Sequence, residues 1–224
     1  MLGERFIALA RGHHGYPYLD IDYIAQVYDA ACRHCGIHGE QVAPFRVRRA
    51  LGAPHSAFLQ LNWAFDVLFV TADTALELQR SQLSGFELGP VLLAQTGAEI
   101  SSHRQLIIRT TIPCLEISRL SVVRCKKDNE ESAYRLRGGT EAERLGLPYC
   151  GRIKYLPPTT VGIRVNSLAD APDIFLAEEW VGSGGSAFRE IVVSRQFVDL
   201  VRSKRWRGLD FKSAIIGGHS ERGT

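Results

Sequence analysis

Long apolar runs are missing from this chain of 224 residues. Even its least charged window, residues 50–64, carries Pro54, His55, Ser56, Gln60 and Asn62, so no membrane-spanning helix is expected. The opening MLGERFIALARGHHG sets Glu4, Arg5 and Arg11 among its apolar residues and lacks the charged-then-apolar order of a signal peptide, so the expected location is the cytoplasm. A large excess of one charge is missing too, and a formal net charge of +3 does not by itself point to nucleic acid. Signatures of catalysis are also missing: there is no carboxylate pair with a companion His, no G-x-S-x-G, no H-E-x-x-H and no Walker sequence, and no enzyme is expected. RGHHGYPYLD brings His13 and His14 close to Asp20, but adjacent histidines in a strand face opposite ways, and a surface loop is the better reading. The GSGGS run at 182–186 has no Lys-Ser or Lys-Thr to cradle a phosphate and reads as a flexible loop.

What the chain does have is enough apolar material, 45% against 23% charged, to bury a core and escape disorder. It also has five cysteines, an odd number, in a context where thiols stay reduced and clustered Cys reads as metal or thiol chemistry before disulfide. Cys32-Arg33-His34-Cys35-Gly36 is a C-x-x-C-G turn, and Leu147-Pro148-Tyr149-Cys150-Gly151 is a second such turn with Leu147 in place of its first cysteine. Two thiolates spaced i, i+3 on a tight turn converge on a tetrahedral ion at about 2.3 Å, and the following glycine lets backbone amides face the sulfurs. The candidate zinc ligands are therefore Cys32, Cys35 and Cys150, with a fourth from His38, His34, Cys114 or Cys125; His38 is nearest to the turn. The alternative is a relic site in which Leu147 fills the gap and the thiols are small hydrophobes. A redox pair fits less well, because Gly36 and Gly39 argue against the helix that would lower the first thiol's pKa.

A second repetition joins the middle of the chain to its C-terminus. Residues 68–88 align without a gap on 191–211, an offset of 123. Each segment begins with an apolar strand ending at Val70 or Val193 and continues with a capping Thr71 or Ser194. Each then runs about three helical turns with apolar positions in register, Ala75 with Val198, Leu78 with Val201 and Leu83 with Trp206. Gly85 and Gly208 close the helices, and Phe86-Glu87-Leu88 and Leu209-Asp210-Phe211 open second strands. Between the two segments, residues 104–139 read as two or three antiparallel strands, with Pro113 at a bulge or edge. The expected fold is α+β: two pseudo-repeated halves, each a Cys-Gly turn followed by a strand-helix-strand unit, with a central antiparallel sheet. It forms one domain of 1–224 or two packed lobes of about 1–100 and 101–224. Arg202, Lys204, Arg205 and Arg207 surround Trp206, but cations belong at a helix C-terminus and Trp206 occupies a core position, so nucleic acid is not the expected partner.

In this order the marks resemble the myxobacterial paralogous double-CXXCG family. They are Cys32 to Gly36, Leu147 to Gly151, the lead-in DIFLAEE at 173–179, Val192-Val193-Ser194-Arg195-Gln196-Phe197-Val198, and the close Gly208-Leu209-Asp210-Phe211. The likeness spans most of the chain and departs from the pattern at Leu147. It implies an immunity protein that neutralises a cognate secreted antibacterial toxin by direct binding and occlusion, the competing reading being a zinc-ribbon-like nucleic-acid-binding or regulatory protein. Inhibitors of basic toxins are usually acidic, so Glu178, Glu179 and Glu190 are the candidate acidic patch.

Overall fold

Leu68-Phe69-Val70 and Ile191-Val192-Val193, the apolar triplets ahead of the two capping residues, each divide their side chains between different cores. Leu68, Val70, Ile191 and Val193 share one cluster, Phe69 lies in a second and Val192 in a third. A strand buried on both faces reads as a continuous apolar run, and this is why neither triplet alternates. The computed structural model describes residues 4–12, 26–48, 56–62, 64–118, 120–127, 141–157, 162–164, 168 and 170–217; His13, His14 and Asp20 lie outside them. Its strands are β1 (Arg5–Ala10), β2 (Phe45–Val47), β3 (Phe58–Leu61), β4 (Ala64–Thr71), β5 (Glu87–Gly89), β6 (Val91–Leu93), β7 (His103–Ile107), β8 (Thr111–Ile112), β9 (Val122–Arg124), β10 (Ile153–Tyr155), β11 (Gly162–Arg164), β12 (Ile174–Val181), β13 (Phe188–Ser194), β14 (Leu209–Ser213) and β15 (Ile215–Gly217). The helices are α1 (Ala72–Arg80), α2 (Glu141–Arg144) and α3 (Arg195–Ser203). The fold is mixed α+β, with few helices and mostly antiparallel pairing. A seven-stranded sheet has the order β14-β1-β13-β12-β10-β9 with β8 also on β12, and a four-stranded sheet has the order β3-β4-β7-β5.

Both strand-helix-strand units form where the sequence places them. Thr71 Oγ1 accepts from the Thr74 amide and Ser194 Oγ from the Phe197 amide, each cap contributing about 1 kcal/mol. The nine-residue helices bury corresponding positions: Thr74, Ala75 and Leu78 in α1, and Phe197, Val198 and Val201 in α3. In each unit the two strands flank a third, antiparallel to both: β7 lies between β4 and β5, and β1 between β13 and β14.

The units meet through reciprocal contacts. The Ile174 amide donates to Ser84 O and the Phe58 amide to Arg207 O, both at 3.1 Å. Gly85 has φ +94° and abuts Ile174 O; Gly208 has φ +109° and abuts Phe58 O. The helices end earlier, at Arg80 and Ser203, so neither glycine terminates one as expected; a Cβ at either would collide with that carbonyl, and this close approach explains the residue type. Phe65 and Phe188 face each other with ring centroids 5.5 Å apart, and the neighbouring Arg189 amide donates to Asp66 Oδ2 at 3.2 Å.

The region expected to form a central antiparallel sheet does not do so as a unit. β7 joins the four-stranded sheet, β8 pairs parallel with β12, and β9 pairs with β10 at the edge of the larger sheet. Strands of two to five residues carry too little pattern to specify partners, and long-range pairing decides. Among the described residues, no helix is long and apolar enough to cross a membrane.

Candidate metal centre

The tight turn at 32–36 is built by its own backbone. The Gly36 amide donates to Cys32 O at 2.9 Å, the Cys32 amide donates to Ile37 O at 2.8 Å, and Gly36 takes φ +80°. The second Cys-Gly pair reproduces this pattern with a residue from another segment. The Gly151 amide donates to Cys125 O at 3.1 Å, the Cys125 amide donates to Arg152 O at 2.9 Å, and Gly151 takes φ +70°. Cys125, at the end of β9, therefore stands to Cys150 as Cys32 stands to Cys35. The cysteine missing at position 147 is supplied through space.

The sulfurs of Cys32, Cys35, Cys125 and Cys150 all lie within 4.8 Å of one another. Cys32 and Cys125 are 3.7 Å apart, and Cys35 and Cys150 are 3.6 Å apart. A tetrahedron with metal–sulfur bonds of ~2.3 Å has edges of about 3.8 Å. The four thiols are free, three of them buried and Cys150 facing solvent, so the donor set fits one thiophilic ion.

Amides face these sulfurs as a thiolate requires. The Cys35 thiol and the amides of Cys35 and His34 all point to Cys32 and draw its pKa down to about 4, against the opposing effect of burial. Cys35, on the other side of that shared proton, is pushed up, first by the Cys32 sulfur and then by burial, while the Ile37 amide opposes. Burial raises Cys125 to about 11, with the Cys150 amide pulling the other way. The opposite directions within one cluster describe thiols sharing protons, the state that a bound cation replaces by displacing them.

Cations hold the turns from outside. Lys154 Nζ donates to Cys35 O, Arg152 donates to Ala30 O and Ile37 O, and Arg124 donates to Gly151 O. His34 ties the turns together: a carbonyl only accepts, so its Nε2 carries the proton donated to Leu147 O at 2.8 Å, and its ring stacks on Tyr149. Leu147, the departure from the repeated motif, thus contributes its backbone.

Of the predicted ligands, the structure brings Cys32, Cys35 and Cys150 together and leaves His38 aside. His38 Nδ1 donates to Gly39 O, its ring stacks on Tyr28 at 3.6 Å, and its Nε2 lies 4.0 Å from Asp66 Oδ2. Burial holds His38 below its ordinary pKa, with Asp66 opposing. The fourth sulfur is Cys125, which no spacing in the sequence singles out: it follows β9, 25 positions ahead of Cys150. Cys114 is buried in a separate apolar cluster, where burial pushes its thiol to about 12.

Other expectations change as well. The 182–186 run is not free: the Gly184 and Ser186 carbonyls accept from Lys154, and a Cβ on Gly36 would meet Gly185 O at 2.6 Å. Glu178, Glu179 and Glu190 do not make one acidic face. Glu178 is exposed, but Glu179 accepts from the Cys114 and Leu115 amides and pairs with Arg164 at 3.0 Å, and Glu190 is buried. In the basic cluster, Trp206 packs edge-on against Phe58 and Lys204 pairs with Glu77, as expected of a helix end. Compared with known protein families and with curated proteins, the chain matches none.

Proposed function

We propose that this chain is a non-enzymatic immunity protein of the cytoplasm that binds a cognate secreted toxin and occludes its active site, on a scaffold clamped by zinc. One observation carries the reading: four sulfurs from three separated segments converge on one point. Four thiolates saturate a tetrahedral zinc and leave no position for water or substrate, which is the arrangement of a structural ion. Such a clamp suits a protein whose work is to present a rigid surface. The order of the Cys-Gly motifs and the closing strand-helix-strand supports the immunity assignment by resemblance to the double-CXXCG family.

The same proposal includes the repeated halves. Reciprocal bonds of Ile174 with Ser84 and Phe58 with Arg207, and of Gly85 and Gly208 with the opposite unit, support descent from a duplicated unit packed about an approximate two-fold axis. With Glu179 and Glu190 committed internally, recognition of the toxin rests on shape and a few buried anchors across roughly 1,200 to 2,000 Å² rather than on an acidic face. The test is co-expression with the secreted toxin taken as its cognate. Cells survive only with the chain, and the two proteins co-elute stoichiometrically in added salt. A nucleic-acid binder would instead lose its partner steeply with salt. Killing that this chain does not relieve, or a complex that forms only with nucleic acid, would overturn the proposal.

A further inference from the structure

Lys154 is only 1% exposed, yet it sits on a short strand between the exposed Ile153 and the buried Tyr155. Its three ammonium donors are all used, on Cys35 O at 2.9 Å, Gly184 O at 2.7 Å and Ser186 O at 2.8 Å. These are neutral acceptors. Among the described residues no carboxylate pairs with it. Carbonyl dipoles solvate a buried ammonium but do not cancel its charge, and a buried charge left without an opposite one is strongly destabilising. Its bond to Cys35 O places Lys154 against the turn that carries two of the four clustered sulfurs, and these supply the missing negative charge: four thiolates around a divalent ion make a dianionic centre.

We infer that Lys154 is the buried counter-ion of a dianionic tetrathiolate centre, and that through its bonds to Gly184 O and Ser186 O it makes the order of the 182–187 loop depend on the metal. The inference rests on reading the cluster as a metal centre. It favours a divalent over a trivalent thiophilic ion, because four thiolates leave a charge of −2 around the first and −1 around the second, and a d10 ion suited to tetrahedral sulfur makes zinc the first candidate. Arg152 and Arg124, on carbonyls of the two turns, act in the same direction from nearer the surface. The loop has a second tie to the site, since Gly36 packs without a side chain against Gly185 O and the Ala187 amide. Lys154 is a positioning residue and touches no metal.

The test compares wild type with Lys154→Gln, which keeps amide donors and loses the charge. Zinc affinity is measured by competition with a chromophoric chelator under reducing conditions, and the cobalt-substituted spectrum reports the ligand set. Lys154→Gln should bind one ion with an unchanged tetrathiolate spectrum but about 10- to 100-fold more weakly. Equal affinity overturns the counter-ion assignment while leaving the metal centre standing, whereas wild type that binds no zinc removes the metal centre itself. A measurement on the wild type alone covers a variant that does not fold. Amide exchange across 182–187 should speed up at least ~10-fold when zinc is withdrawn, and unchanged exchange contradicts the inference.

Discussion

Replacing Cys125 with serine removes one sulfur from the cluster and little else, because the two side chains are close in size and Cys125 lies at the rim of a small core with Cys32, Cys35 and Ile37. Its cost should therefore equal the stabilisation that the metal confers. An ion held at 100 times its dissociation constant stabilises the folded chain by about 2.7 kcal/mol, and at 1,000 times by about 4.1 kcal/mol. For a chain of this length each kcal/mol moves the melting temperature by roughly 2–4 °C, so Cys125→Ser should lower it by about 5–16 °C in zinc-containing buffer. The assay is thermal unfolding of wild type, Cys125→Ser and His38→Ala, each with and without a zinc chelator, under reducing conditions. Chelation should lower the wild type as far as the mutation does and leave Cys125→Ser unmoved, since the two perturbations remove one interaction and cannot add. His38→Ala should keep the full chelator response, because that ring faces Tyr28 and Trp180. A Cys125→Ser protein that still responds fully to chelation, or a His38→Ala protein that no longer does, would refute the reasoning.

Three further outcomes follow from the same structure. Gly85→Ala and Gly208→Ala should each cost about 1–3 kcal/mol from positive φ alone, and more from collision with Ile174 O or Phe58 O; a loss below ~0.5 kcal/mol in urea melts would contradict the reciprocal joint. Glu190 is raised by burial, with Lys212 opposing, so it favours folding in its neutral form and that contribution is lost as pH climbs through its raised folded value. Glu190→Gln should accordingly stabilise the chain at pH 7 and progressively less as the medium is acidified, and a gain that grows on acidification would reverse the sign. His34→Ala breaks the link to Leu147 O, which is worth about 1 kcal/mol, and should weaken zinc binding several-fold without changing its stoichiometry; loss of the ion altogether would make His34 a ligand.

Local chemistry was legible in the sequence, and through-space partnership was not. The caps Thr71 and Ser194 and the in-register apolar positions of the two nine-residue helices follow from rules acting within a few residues, and each is found in place, whereas the helices end at Arg80 and Ser203, ahead of Gly85 and Gly208, whose positive φ serves the joint with the facing carbonyls instead. The two Cys-Gly turns were legible for the same reason, since a C-x-x-C-G spacing and a positive-φ glycine are local. Cys125 was legible only as one of four candidates for the fourth ligand, because what singles it out is a backbone bond pattern shared with Cys150 across β9 and β10. Lys154 gave no signal: in the sequence it is a lysine in an ordinary strand, and only folding encloses it between a Cys-Gly turn and the 182–186 run. The supposed acidic patch failed on long-range packing: Glu178 and Glu179 lie where the β12–β13 register shifts, and Glu179 is taken up by the Cys114 and Leu115 amides and Arg164 while Glu178 stays exposed.

X-ray absorption at the metal edge of the chain purified under reducing conditions addresses the central claim most directly. One zinc per chain bound by four sulfurs at about 2.3 Å, with no nitrogen or oxygen neighbour, is the predicted result. A nitrogen in the coordination shell, or a reduced chain that refuses zinc while remaining folded, would contradict it.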